Sequence, residues 1–320
     1  MIGNRVIEYD EYGPADLLEL RTAPEPEPPE GRFVLVRVMA ASINPKDTFV
    51  RKGRFRAMTG DAFPRRTGYD FSGAVEAVGE GVTEFVSGDA VFGMLNGWSG
   101  GACADRLIVP LDEVAPMPER LSFNEATALP LAGITALQAL RDLGQVVPGA
   151  AVCVNGASGG VGLFAVQIAK ALGASVAAIA SGGNEALCRE AGADSFIDYA
   201  AIDPFAPDGA RFDVVFDVFG NRSLGEAAPA MSDTGVYVST VPSPRTMLDV
   251  QATANVEGRK AKLIVVTSCS ADLTVLGNMV ARGQLRPHLD TVYALEAIQD
   301  AHRHVEGKHT RGKVVVSLEQ

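Results

Sequence analysis

The segment AVCVNGASGGVGLFAVQIAKALG, Ala151 to Gly173, constrains the fold more than any other stretch of the chain. An apolar run stops at a cluster of glycines, and a long alanine-rich segment of helical character follows. Strand, bare turn and helix in that order form half of a β-α-β unit. Such units stack into parallel sheets covered by helices on both faces. The turn also has a chemical meaning. A helix N-terminus carries unpaired N–H groups and about half a positive charge. A phosphate reaches those groups only where no Cβ stands in the way. Gly159 and Gly160 would let a pyrophosphate approach the backbone, and Gly162 would let the helix lie close on the strand. The spacing is G-x-x-G-x-x-G, with Gly156 and Ala157 in the region of the usual first glycine. Tight helix–strand packing alone would use the same residues, but the flanking elements and further β-α units downstream favour a dinucleotide.

Upstream the texture differs. FVLVRVMAAS (Phe33 to Ser42), GAVEAVGEGV (Gly73 to Val82), DAVFGM (Asp89 to Met94) and DRLIVPLDEVAPMP (Asp105 to Pro118) are short apolar runs cut by Gly and Pro. They read as the strands of a small barrel or sandwich. At LSFNEATALPLAGITALQALRDLG the pattern turns helical. Ser122 and Glu125 have capping-box spacing, Pro130 breaks the first helix, and a second runs to about Leu143. Beyond the glycine turn, the strands SVAAIA, FDVVFDVFG and GVYVSTV alternate with helices. The tail carries helices over Leu273 to Arg282 and Leu295 to Val305. Its last strand, KVVVSL, has a pattern that fits a sheet in either half. The fold class expected is α/β, a β-barrel domain joined to a doubly wound parallel sheet.

The net charge of -11 opposes a nucleic-acid or anionic-membrane partner. No window has the apolar length of a membrane span, and MIGNRVIEYDEYG lacks a signal peptide, so a soluble cytoplasmic protein is expected. Cys103, Cys153, Cys188 and Cys269 are scattered and suit neither a disulfide framework nor a thiolate zinc site. His302 and His304, two residues apart, do not share a helix face. With His309 they are expected on a solvated surface, and no metal site is expected. The strand SVAAIA ends in Ser181-Gly182-Gly183-Asn184, with no carboxylate at its tip to bind ribose hydroxyls. That favours NADPH over NADH, although Ser181 and Asn184 suit helix capping equally well.

Six segments in order then carry a resemblance: ASINPKDTFVRKG, GYDFSGAVEAVG, ALPLAGITALQAL, NGASGGVG, FIDY and RGKVVVSL. Over nearly its whole length the chain resembles the zinc-independent quinone oxidoreductases of the medium-chain dehydrogenase/reductase superfamily. The resemblance implies a GroES-like β-barrel catalytic domain over residues 1–122 and a Rossmann NADPH-binding domain over 123–267. Residues 268–320 would return to complete the first domain. It also implies a homodimer and a cleft between the domains. Zinc-dependent relatives carry Cys where Asn44 stands and a His-Glu pair where Tyr69 and Asp70 stand.

Asn44 would hydrogen-bond cofactor or acceptor, and Thr135 would reach the cofactor. Ser158, Gly159, Gly160 and Val161 would hold the pyrophosphate. Ser181, Asn184 and Tyr199 would meet the 2′-phosphate or adenosine end. Phe219, Gly220, Val238 and Ser239 would line the crevice at the sheet's switch point, with Asp217 structural. The acceptor implied is a quinone or enone, already electrophilic enough to need no Lewis acid. An alkenal/enone double-bond reductase and a non-catalytic, crystallin-like NADPH binder are the alternatives. Phe49 stands where many relatives carry a proton-donating Tyr, and Asn184 where many carry a phosphate-gripping Lys. Arg65 and Arg66 would favour an anionic acceptor or sit on a solvated loop. Trp98 would wall the acceptor pocket or fill the barrel's edge.

Overall fold

The computed structural model describes residues 3–206 and 211–319. The chain divides into two compact units. One comprises Met1–Leu131, Thr267–Gly283 and Pro287–Gln320, the other Ala132–Val266 and Gln284–Arg286. Among the described residues no helix is long and apolar enough to cross a membrane.

In the second unit six strands pair in parallel. Their order is Ser195–Asp198, Ser175–Ala180, Ala151–Asn155, Phe212–Asp217, Met231–Ser239 and Lys260–Leu263. The chain runs outward from Ala151–Asn155 to one side, then restarts at Phe212–Asp217 on the other. This reversal is where doubly wound sheets open a crevice beyond their strand ends. Asn155 and Asp217, the last residues of the two strands, are register partners there. Val152, Cys153, Val154, Val215 and Phe216 are fully buried, as the continuous apolar runs require of a sheet covered on both faces. Burial pushes the Cys153 thiol far up, so it is a packing group and not a nucleophile.

The helix Gly160–Ala171 follows Ala151–Asn155 and buries Leu163, Phe164, Ala165, Val166, Ile168 and Ala169. Its first turn lies directly on the preceding bend. A Cβ on Gly162 would stand 2.1 Å from the Gly156 carbonyl oxygen and 2.7 Å from the Ala157 Cα. Gly156 itself has φ +84, a conformation that glycine adopts without strain.

The first unit is antiparallel for the most part. Phe33–Ile43 is its axis. It pairs with Arg106–Pro110 through its first half and with Asp70–Val78 along its length, with register shifts that bend the pair. Asp70–Val78 continues to Ala90–Met94 and Val114–Pro116. The last strand, Lys313–Ser317, joins this sheet, antiparallel to Phe33–Ile43 and parallel to Leu289–Ala294. A separate ribbon holds Glu19–Ala23, Asn4–Tyr9 and Arg65–Arg66.

The helix Ile298–Glu306 corrects the expectation of solvated histidines. His302 is fully buried, whereas His304 is half-buried and His309 exposed. Ile298, His302 and Val305 follow a 4–3 spacing on one helix face, so His302 lies in the apolar stripe. Its partners fix its protonation. The fully buried Arg51 donates from Nε to His302 Nδ1 at 3.4 Å. A guanidinium only donates, so Nδ1 is the acceptor and the ring proton sits on Nε2. Nε2 then donates to Thr67 Oγ1 at 3.3 Å, and Thr67 Oγ1 donates to Asp47 Oδ1 at 3.2 Å. Arg51 is also paired with Glu306. Burial, reinforced by the charges of Arg51 and Lys52, lowers the His302 pKa to about 3. Burial likewise raises the Asp47 carboxyl to about 6.

Two predictions follow from these contacts. Gly162→Ala should cost about 2 kcal/mol or more, because both clashing atoms are backbone, and should lower the thermal midpoint by several degrees. For His302, the unfolded chain binds a proton that the native ring refuses between pH 6.5 and about 3, so this group's contribution is lost as pH falls. Asp47 acts oppositely, since its native carboxyl keeps a proton between 3.8 and about 6 that the unfolded chain has released. His302→Gln removes only the first effect. Whatever the variant loses at pH 7.5 should therefore shrink at pH 4.5, by up to about 1.4 kcal/mol per pH unit. Thermal midpoints of both proteins at the two pH values check this, and a difference that ignores pH would contradict it.

Candidate active site

The glycine bend of the second unit presents an open backbone. Ser158, Gly159, Gly160 and Val161 are all partly exposed. Gly159 is the N-cap of its helix, with φ -80 and ψ 174, ordinary values for any residue. A Cβ there would find only the Gly156 carbonyl oxygen, 3.6 Å away. The first helical bond runs from Leu163 N–H to Gly159 O, so the amides of residues 160–162 have no partner within the helix. The protein's own packing requires glycine at 162 but not at 159. Space over unpaired N–H groups is the donor set and cradle that a pyrophosphate fits.

At the tip of Ser175–Ala180, Asn184 Nδ2 donates to Ser181 Oγ at 2.9 Å, so the two polar side chains cap each other. Parallel pairing puts Ala180 level with Asp198. A Cβ on Gly182 would meet Asp198 Oδ2 at 2.6 Å. The segment SVAAIASGGN has no acid, but the neighbouring strand brings one beside it. No local pattern reveals that placement. Tyr199, the next residue, is 55% exposed.

Asp217 ties the switch point together. It is fully buried and accepts from Asn155 Nδ2 at 2.8 Å, Gly220 N at 2.8 Å, Arg222 N at 3.1 Å and Tyr237 Oη at 2.6 Å. Those bonds fix the loop that carries Phe219, half-exposed, and Gly220. Val238 and Ser239 are fully buried within Met231–Ser239, and Ser239 Oγ accepts from Val241 N at 3.2 Å. Thr135 is buried in the helix Pro130–Leu137.

In the first unit, Asn44 ends the strand Phe33–Ile43 and caps the helix Pro45–Arg51. Its backbone N–H is held by Asp47 Oδ2 at 2.8 Å, one half of a capping box. The carboxamide Nδ2 donates to Asp70 Oδ2 at 2.8 Å, and Oδ1 accepts from Lys313 Nζ. Lys313 also approaches Asp70 Oδ2 at 3.3 Å. Ser42 Oγ and Leu131 N donate to the same carboxylate at 2.6 and 2.8 Å. Reading the sequence missed Lys313 altogether, 269 positions from Asn44.

Around this cluster, Lys46 Nζ donates to Gly97 O at 2.8 Å and lies 3.8 Å from the centre of the Tyr69 ring. Desolvation lowers its pKa. Trp98 packs on Phe55, ring centres 4.7 Å apart. Phe49 is half-buried under the Arg54 guanidinium. Arg65 donates to the carbonyls of Thr59 and Trp98, and Arg66 to Glu8. Among the described residues, no group of three or more His, Cys, Asp or Glu side chains is placed to hold a metal ion.

Known proteins share the fold. Residues 30–119 match the model of the alcohol dehydrogenase GroES-like domain, and residues 191–316 that of zinc-binding dehydrogenases. The chain is 31% identical over 321 residues to the chloroplast envelope quinone oxidoreductase homolog of Arabidopsis thaliana, covering 97% of each. The structure of the quinone oxidoreductase from Coxiella burnetii superposes with a TM-score of 0.90 at 31% identity, over 98% of this chain and 99% of that one. Escherichia coli quinone oxidoreductase complexed with NADPH gives a TM-score of 0.83 at 25% identity, over 98% and 99%. With its GroES-like domain and its Rossmann-type sheet, the chain belongs to the quinone oxidoreductase family of the medium-chain dehydrogenase/reductase superfamily.

Proposed function

We propose that the protein passes hydride from NADPH to a quinone or a related conjugated carbonyl, without a metal. The observation that carries this reading is the open amide cradle at Gly159, set at the reversal of a six-stranded parallel sheet. The likeness to an NADPH complex of a quinone oxidoreductase supports it.

Ser158, Gly159, Gly160 and Val161 would hold the pyrophosphate. Ser181, Asn184 and Tyr199 would meet the adenosine end. Thr135, Phe219 and Gly220 would border the cofactor, with Val238 and Ser239 contributing backbone, since their side chains are buried. Asn44 would hydrogen-bond cofactor or acceptor. When bound, NADPH supplies a hydride, two electrons and one proton's nucleus, so that quinone, NADPH and one further proton give hydroquinone and NADP⁺. Phe49 has no hydroxyl to supply that further proton, which would come from water or another group. The Lys313 ammonium, bonded to Asn44 and close to Asp70, puts a cation where a divalent metal would be repelled. A homodimer in the cytoplasm belongs to the same proposal.

Three measurements test it. Purified protein with a panel of quinones, enals and enones should oxidise NADPH fastest with quinones. Tight NADPH binding without turnover on any acceptor would instead identify a binding protein. Gly159→Val should raise the NADPH Kd by roughly 30-fold through loss of the cradle, while the thermal midpoint stays within about a degree. A matched loss of stability would mean that the glycine serves packing. Activity and fold should also survive dialysis against a chelator, and stoichiometric zinc by elemental analysis would overturn the metal-free reading.

A further inference from the structure

The Asn44 carboxamide is almost wholly buried and gripped at both ends. Lys313 donates to its oxygen, and its nitrogen donates to Asp70. An ammonium can only donate and an ionised carboxylate can only accept. Of the two flips open to an amide, only one satisfies both neighbours.

The grips are themselves buried. The Lys313 side chain is 4% exposed and that of Asp70 0%. Asp70 has its other oxygen on Leu131 N–H and shares Oδ2 with Ser42. The three residues also come from adjoining strands. Asn44 follows Ile43, which pairs with Val314, and Ser42 pairs with Asp70. Sheet register therefore sets their separations before any side chain turns.

A buried lysine–aspartate pair gives little net stability, because desolvation offsets its attraction; its better-attested use is to specify one arrangement. After both bonds form, Asn44 keeps one N–H. A cation on the amide oxygen draws electron density from the nitrogen and strengthens the remaining N–H as a donor.

We propose that Lys313 is a positioning residue: with Asp70 it fixes the flip of Asn44 and polarises it, so that the free N–H is a ready donor to the oxygen that gains negative charge as hydride arrives. This rests on the branch of the proposed function in which Asn44 bonds the acceptor and not the cofactor.

A double-mutant cycle tests the coupling. Asn44→Ala and Lys313→Met should each lower kcat with a quinone by about 10- to 100-fold, with NADPH Kd changed less than about threefold. The double variant should be no slower than the slower single, because Lys313 has nothing left to act through. Lys313→Arg, another obligate donor, should recover part of the loss. Should Lys313→Met misfold on account of the unpaired Asp70, the charge-free pair Lys313→Met with Asp70→Asn replaces it in the cycle and should fold yet remain slow.

Losses that multiply, a Lys313→Met kcat within twofold of the parent, or Asn44→Ala at full rate would each overturn the inference. A readout independent of turnover separates this failure from that of the proposed function. In protein labelled with ¹⁵N-asparagine, the Asn44 side-chain signals are those missing from Asn44→Ala. Their hydrogen exchange should quicken by about tenfold or more in the charge-free pair. Unchanged exchange would sink the positioning role. A parent protein that reduces no quinone would sink the functional reading alone, with the exchange result still deciding the role of Lys313.

Discussion

Buried aspartates whose oxygens are all engaged hold the functional loops of both units. Asp217 joins the ends of three adjacent strands to the Gly220–Arg222 loop. Asp70 joins Ser42, Asn44, Leu131 and Lys313. Asp47 joins the backbones of Asn44 and Gly68 and the Thr67 hydroxyl. An isolated buried carboxylate is costly, and each added donor lowers that cost and removes a way for the loop to move. Strand ends beyond a sheet have few apolar contacts to hold them. A carboxylate that gathers several N–H and O–H groups does so within a small volume.

The glycine bend shows how the same residue type serves two separable ends. At Gly162 the prohibition comes from the chain itself, because a side chain would overlap the backbone of the bend. At Gly159 the chain imposes nothing; the dihedrals are ordinary and the space is open. Glycine serves the helix there as an N-cap, and in the proposed function the same open space would admit a pyrophosphate. The helix needs its first turn pressed on the strand for packing, and the pressing aims the unpaired amides of residues 160–162 beyond the strand end.

Much of this was legible in the sequence. Ser122 accepts from the Glu125 N–H, and the helix breaks ahead of Pro130, both from patterns a few residues long. The strand–bend–helix unit read correctly because its periodicities are local. What escaped depends on pairing across the sheet. Asp198 meets Gly182 only because two parallel strands run level. Lys313 meets Asn44 only because the last strand lies against Phe33–Ile43, and KVVVSL by itself does not name its partner. His302 is inside for another reason: its helix is charged overall, yet Ile298, Ala301 and Val305 mark an apolar inner face.

The chemistry of the Asn44 cluster also limits what it can serve. A polarised amide N–H stabilises developing charge by a single hydrogen bond, worth far less than a divalent ion bound to the same oxygen. That contribution suffices only if the acceptor spreads charge by itself. In a quinone, hydride addition is helped by conjugation to the second carbonyl and by the aromaticity gained. An unactivated ketone offers neither, so its oxygen would need the whole stabilisation from the protein. Under the proposed function, Asn44, held by a lysine and an aspartate, would be matched to conjugated carbonyls by the strength of the bond it can make.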